Sequence, residues 1–598
     1  MDPNFHDNAV PLIRPGGESE GPDDAGIVDQ RPWLSDQSGS GIASEPESVS
    51  STRQNRWSRR QWLQVLAAAG ITHEVFLRAL AAQAENGAVT AEMIRQAEWI
   101  AGITLSEEQR AAAARALNRL ERQWADLRQQ SLPYTVSPVL AFFPDGCESF
   151  LGPPAPFEVI TPRVARPESA DALAFLTVAE LSHLLRVREI SSQELTRLYV
   201  DRLRRADPVL RCVVTFTEEL AYQQARRADE ELARGQWRGP LHGIPWGAKD
   251  LISVPGYPTS WGATPFAEQQ LAETATVAER LEAAGAVLIA KLTLGALAQG
   301  DRWFGGMTRN PWNPQEGSSG SSAGSAAATA AGLVGFAIGS ETLGSIVSPC
   351  RRCGVTGLRP TFGRVSRYGC MPLAWTMDKL GPIARSAEDC ALVLAAIHGR
   401  DAKDPASVDR PFQWPPPSRR LRIGYFEDSA SPATLQFLEF LKSESSVELR
   451  PITLPHDVPA DSLVFILNVE AATAFDQITR QGITEGLNEW PGAFHQGQLT
   501  PAVEYLRAQR LRQLLIQRMK QLFQEVDAYV GGNDLVITNL TGHPTVVFPA
   551  AIAERNGKPQ PICATVTGKY FDEEQILLLV HRFQQVTDYH RRQPLLEG

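Results

Sequence analysis

Two short runs without one polar side chain, residues 286–290 (AVLIA) and 333–338 (LVGFAI), constrain the fold of this chain more than any other feature. A strand that is apolar at every position is buried on both faces, which requires helices covering both sides of its sheet. The text around these runs supplies such helices. Thr177 with Glu180, Ser191 with Glu194 and Thr276 with Glu279 have the spacing of capping boxes, a hydroxyl at the N-cap and a glutamate three residues on. Gly235 and Gly285 stand where a left-handed residue closes a helix. Helices alternating with fully apolar strands predict an α/β core with a mostly parallel or mixed sheet. No internal repeat is visible.

At 598 residues the chain is too long for one ordinary domain. With 43% hydrophobic and 21% charged residues it reads as soluble with a large core, and a net charge of −10 argues against a nucleic-acid surface. No uninterrupted apolar run reaches the roughly 18 residues of a membrane span. Residues 1–56 are rich in Gly, Pro, Ser, Asp and Glu and lack any apolar period, so we read them as disordered. Arg59-Arg60 ahead of an apolar stretch (62–71) is similar to a degenerate twin-arginine export signal. It starts late and His73, Glu74 and Arg78 interrupt the apolar region, so an amphipathic helix and a cytoplasmic location are preferred, with export as the alternative. Helical text over about 90–130, with a capped start at Ser106, leads into a proline-punctuated linker. Three sections result: 1–56, a helical extension with Pro-rich linker over 57–165, and a main domain over 166–598.

The chemistry-bearing residues lie in the main domain. A serine hydroxyl is a poor nucleophile until a base accepts its proton. Lysine can be that base if burial keeps its amine neutral near pH 7. Lys249 follows Ile244, Pro245, Trp246 and Ala248, although Asp250 beside it would equally make it a plain salt-bridge lysine. Downstream, Gly320-Ser321-Ser322-Ala323-Gly324-Ser325 precedes an Ala-rich helix, and Thr342-Leu343-Gly344-Ser345-Ile346 forms a second Gly/Ser turn. Either could be an ordinary Gly-rich loop, but no lysine follows in phosphate-loop spacing.

Together these three segments resemble the amidase signature family. The resemblance covers roughly residues 170–598, so 166–598 is read as an amidase signature domain: an α/β fold with a large mixed β-sheet surrounded by helices, preceded here by an N-terminal helical extension. It implies that Lys249 is the base, Ser321 the bridging serine after a cis peptide, and Ser345 the nucleophile that forms an acyl-enzyme. The competing register Gly317-Ser318-Ser319-Gly320 is set aside on the family's spacing of 24 residues between the serines, which selects Ser321. By the same resemblance Thr342, Leu343 and Gly344 present oxyanion-hole N–H groups, with Ser322 assigned to the same oxyanion and substrate-binding group. No cofactor and no metal is implied.

The chain also departs from the family. Leu343 stands for a glycine at the site rim, and Val347 for an arginine that many members carry, so substrate preference does not transfer. Arg359 and Asp378 read as structural braces and His543 as a packing residue. Cys350 and Cys353 have redox or zinc spacing, but no second such pair exists and simple packing accounts for them. The segment from about 400 to 535 is expected to shape the pocket. The expected activity is hydrolysis of a linear amide in a small-molecule substrate, with no nucleic-acid or membrane partner and a homo-oligomer compatible with the sequence. Two rivals are a glutaminase (A-type) subunit of a tRNA-dependent amidotransferase, which passes ammonia to partner subunits, and a catalytically silent binding protein on the same scaffold.

Overall fold

The computed structural model describes residues 88–101, 103–128, 134–135, 142–143, 157–160 and 164–595. The chain divides into two units, 1–88 and 89–598, and everything below concerns the second. Residues 1–56 and the Arg59-Arg60 pair lie outside the described residues.

The apolar runs supply interior strands of an eleven-stranded mixed sheet. In chain order its strands are β1 (Val213–Phe216), β2 (Pro245–Lys249), β3 (Val287–Leu292), β4 (Phe336–Glu341), β5 (Thr356–Arg359), β6 (Lys379–Ala384), β7 (Leu421–Tyr425), β8 (Val447–Pro451), β9 (Ala528–Val530), β10 (Thr545–Arg555) and β11 (Lys558–Gly568). Their spatial order is β1-β3-β2-β4-β6-β5-β10-β11-β9-β7-β8. Every residue of β2, β3 and β6 is buried, Lys249, Lys291 and Lys379 included. β2 runs parallel to both its neighbours, with Trp246 opposite Leu288 on one side and Phe336 on the other. The Trp246 and Phe336 rings stack with centroids 6.0 Å apart. Because β2 and β4 are parallel, their carboxyl ends open at the same edge, where ligands collect in open α/β sheets.

Local expectations fared unevenly. The second apolar run is strand only from Phe336 onward. Leu333 and Val334 are buried in the connection from helix Ala323–Ala330, which Gly332 closes at φ +63°. Gly235 and Gly285 are left-handed closures as expected. The Thr177 capping box forms in full. At Ser191 only the hydroxyl half forms, because Glu194 pairs with Arg166 instead. At Thr276 there is no cap: the N-cap is Ala275, and the Thr276 hydroxyl donates to the Asp401 carboxylate at 2.6 Å. Thr276 is instead the first residue inside the helix, where its hydroxyl does not face the free N–H groups of the first turn.

Ahead of the main domain, helices Ala91–Ala101 and Glu107–Arg128 form a hairpin. Asn118 exchanges two hydrogen bonds with the Val89 backbone, and Arg110 pairs with Glu98 at 2.7 Å. Ser106 and Gln109 complete the reciprocal cap that starts the second helix. No helix among the described residues is long and apolar enough to cross a membrane.

Candidate active site

Lys249 ends β2 and is fully buried. Its amine donates to Ser321 Oγ at 2.8 Å, Ser340 Oγ at 2.9 Å and Ser322 Oγ at 3.0 Å, and reaches the Ser340 carbonyl at 3.3 Å. All four partners are uncharged. Burial lowers its pKa to about 7, against the pull of the Glu341 and Asp378 charges. The neighbouring Asp250 is not its partner. Asp250 pairs with the buried Lys291 at 2.7 Å and accepts from the Ser260 N–H at 2.9 Å.

Ser321 follows a cis peptide after Gly320 and is itself buried. A Cβ at Gly320 would lie 1.9 Å from the Gly300 carbonyl oxygen, so no other residue fits without moving backbone. Ser322 lies between Lys249 and Ser340. Its hydroxyl donates to the Ser340 carbonyl at 3.1 Å and accepts from the Ser340 N–H at 3.1 Å while touching Lys249, so it steadies the amine from behind. Its N–H donates to the Ser345 carbonyl at 3.0 Å, tying the two serine loops together. Ser340 was missed in the sequence. Its only signal was a place near the end of a strand, and nothing local showed that this strand lies beside β2.

Ser345 sits half-buried on the loop between β4 and helix Val347–Cys353. Its hydroxyl hydrogen-bonds no protein group among the described residues, so the Lys249–Ser321 contact is made while the Ser321–Ser345 link is open. Such contacts commonly tighten only when substrate binds. The N–H groups of Leu343, Gly344 and Ser345 also donate to no protein acceptor among the described residues. Gly344 adopts φ +81°, the left-handed conformation that lets the loop turn.

Two carboxylates hold this loop. Glu341 accepts the N–H groups of Ile346 and Val347 at 2.8 and 2.9 Å, and pairs with Arg359 and Asn539, each at 2.8 Å. Burial alone would raise its pKa, but the Arg359 and Lys379 charges outweigh it and hold the carboxyl at about 2. Asp378 accepts from the Thr342 hydroxyl at 2.6 Å and from the Leu373 and Ala374 N–H groups at 2.8 and 3.0 Å. Burial nevertheless pushes its pKa up. Arg359 and Asp378 are braces in this geometry, as read from the sequence. His543 is buried between the Phe523 and Tyr570 rings, and burial keeps it neutral. Cys350 and Cys353 are buried free thiols whose pKa values burial pushes up, as befits packing residues.

Beside Ser340 and Thr342 lies a cavity of about 610 Å³, part of it open to solvent. Residues 367–375 supply much of its wall, including Tyr368, Met371, Leu373 and Trp375. Of the segment from 400 to 535, Lys403 and Asp404 reach it. Lys403 pairs with Glu279, and Asp404 is clamped by Arg367.

A family model described as Amidase matches residues 194–531. The chain is 36% identical over 485 residues to the A-subunit of glutamyl-tRNA(Gln) amidotransferase from Methylococcus capsulatus, covering 70% of this chain and 98% of that protein. To the protein of the same name from Coxiella burnetii it is 32% identical over 483 residues, covering 70% and 99%. Among solved structures it superposes on the peptide amidase of Stenotrophomonas maltophilia with a TM-score of 0.62 and 28% identity, covering 71% of this chain and 99% of that one. The fold is that of the amidase class of α/β enzymes. The chain belongs to the amidase signature family.

Proposed function

We propose that this chain hydrolyses an amide C–N bond through an acyl-enzyme on Ser345, with Ser321 as proton bridge and Lys249 as base. The observation that carries this reading is a fully buried amine with a pKa of about 7, held only by hydroxyls and a carbonyl and 2.8 Å from Ser321. Neutral Lys249 takes the Ser321 proton as Ser321 takes that of Ser345, and the Ser345 Oγ–carbon bond forms. The developing oxyanion meets the undonated N–H groups of the loop; one such donor is commonly worth about 3–4 kcal/mol in the transition state. The proton on Lys249 returns through Ser321 to the departing amine nitrogen as the C–N bond breaks. Water, deprotonated by the same relay, then cleaves the ester and restores Ser345.

The two contexts for this reaction draw on different observations. A glutaminase role as an amidotransferase A-type subunit, delivering ammonia to partner subunits, is favoured by the 36% and 32% identical relatives, which are matched almost end to end. A free-standing amidase is favoured by the likeness to the Stenotrophomonas maltophilia peptide amidase, matched over 99% of its length. Ammonia release from glutamine, measured beside turnover of aryl and aliphatic amides, separates them. Glutamine preference with co-purifying partners supports the first. Full activity in Ser345→Ala would sink both.

A further inference from the structure

One part of the cavity wall comes from outside the family match. That match begins at residue 194, and relatives covered over 98% of their own length account for only 70% of this chain. Tyr134 and Thr135, well ahead of it, nevertheless line the cavity beside Thr342 and Tyr368. Tyr134 is fixed at two points. Its ring meets Trp261 edge-on with centroids 6.0 Å apart, and its hydroxyl donates to Glu273 at 3.3 Å. Burial, together with the Glu273 charge, pushes the phenol well above its ordinary pKa, so it stays a neutral donor. Phe142 fastens the same segment farther along: its ring packs edge-on against Phe362 at 4.8 Å, and the Arg512 guanidinium lies 3.8 Å over it.

Three of the five charged residues that line the cavity stand in ion pairs, and the other two, Asp378 and Lys379, are held by uncharged groups, Lys379 by the Met377 carbonyl. Arg367 and Asp404 pair at 2.8 Å, Lys403 and Glu279 at 3.0 Å, and Asp378 is held by Thr342 and two backbone N–H groups. Lys403 also covers the Tyr368 ring at 4.6 Å. The Tyr134, Tyr368 and Trp375 rings with Met371 and Leu373 offer a ligand aromatic and apolar surface, which suits a flat uncharged group.

We propose that Tyr134 is a specificity-determining residue whose ring forms one side of a slot for the aromatic portion of the amide substrate. The inference rests on the amide-hydrolysis reading but is tested apart from it. Binding is measured by tryptophan fluorescence on full-length protein carrying Ser345→Ala, with para-nitroacetanilide, benzamide, acetamide and glutamine as probes. Tyr134→Ala is expected to weaken the aryl amides about tenfold and leave acetamide unchanged, while Tyr134→Phe, which keeps the ring, stays within about twofold. Equal aryl-amide affinity in Tyr134→Ala, no aryl-amide binding at all, or tighter binding of glutamine than of either aryl amide would overturn it. Turnover by protein with Ser345 intact is read separately. Failure to hydrolyse any amide would defeat the hydrolytic reading while the binding series still judges Tyr134.

Discussion

Lys249 is useful as a base because nothing near enough to touch it carries a charge, and that same burial has a thermodynamic cost. Its pKa of about 7 predicts that kcat/KM rises through an acid limb near that value and then levels off. Lys249→Ala is expected to lose several orders of magnitude, and Ser321→Ala less, since water can span the gap. Lys249→Arg should not rescue, because guanidinium keeps its proton; an active Arg variant would make residue 249 a structural cation. The stability consequence has a definite sign. The folded pKa is depressed, so above about pH 7 only the unfolded chain holds the extra proton, and stability from this group rises with pH by about 1.4 kcal/mol per unit up to about pH 10. Lys249→Met has nothing to titrate there. Its stability relative to wild type should therefore fall between pH 7 and pH 9 in urea melts, and a constant difference would contradict the buried neutral amine. The Gly/Ser turns and the lysine among apolar neighbours were legible in the sequence. Ser340 was not: its contact with Lys249 is set by strands adjacent in space, not in the chain.

At the scale of elements, the loop from β4 to helix Val347–Cys353 depends on Glu341. This carboxylate gathers two backbone N–H groups at the far side of the loop and neutralises the buried Arg359. Removing one partner of a buried pair leaves the other charge uncompensated, typically costing about 3–5 kcal/mol. Glu341→Ala should lower stability by that order in urea unfolding and slow turnover in the fraction that remains folded. Unchanged kcat with a lowered melting point would mean the brace serves only stability. Strand existence was easy to read where composition was wholly apolar, as at 286–290. Boundaries were harder: at 333–338 the apolar run continues through a buried turn, because burial there comes from the surrounding layers as much as from the strand. The Thr276 cap failed because the helix begins one residue earlier than the hydroxyl pattern implied, with Ala275 at the N-cap.

For the whole molecule, the order of strands in the sheet lay beyond the sequence, since apolar runs say that a strand is buried without naming its neighbours. The extension could be read as helical, but its reach toward the cavity could not: Tyr134 and Phe142 stand in a proline-rich stretch whose composition signals only a linker. A chain beginning at residue 166 should melt lower than one beginning at 57, because it loses the Phe142 contacts with Phe362 and Arg512. Deleting residues 1–56 alone should leave turnover and melting temperature unchanged, and a drop of many degrees would show that segment to be docked. The central claim, that a neutral Lys249 drives Ser345 through Ser321, is tested most directly by fluorophosphonate labelling followed by mass-spectrometric location of the adduct across pH. The account predicts a single adduct on Ser345, with a labelling rate that rises through a pKa of about 7 and is nearly lost in Lys249→Arg. An adduct on another residue, or a rate indifferent to pH and to Lys249→Arg, would contradict it.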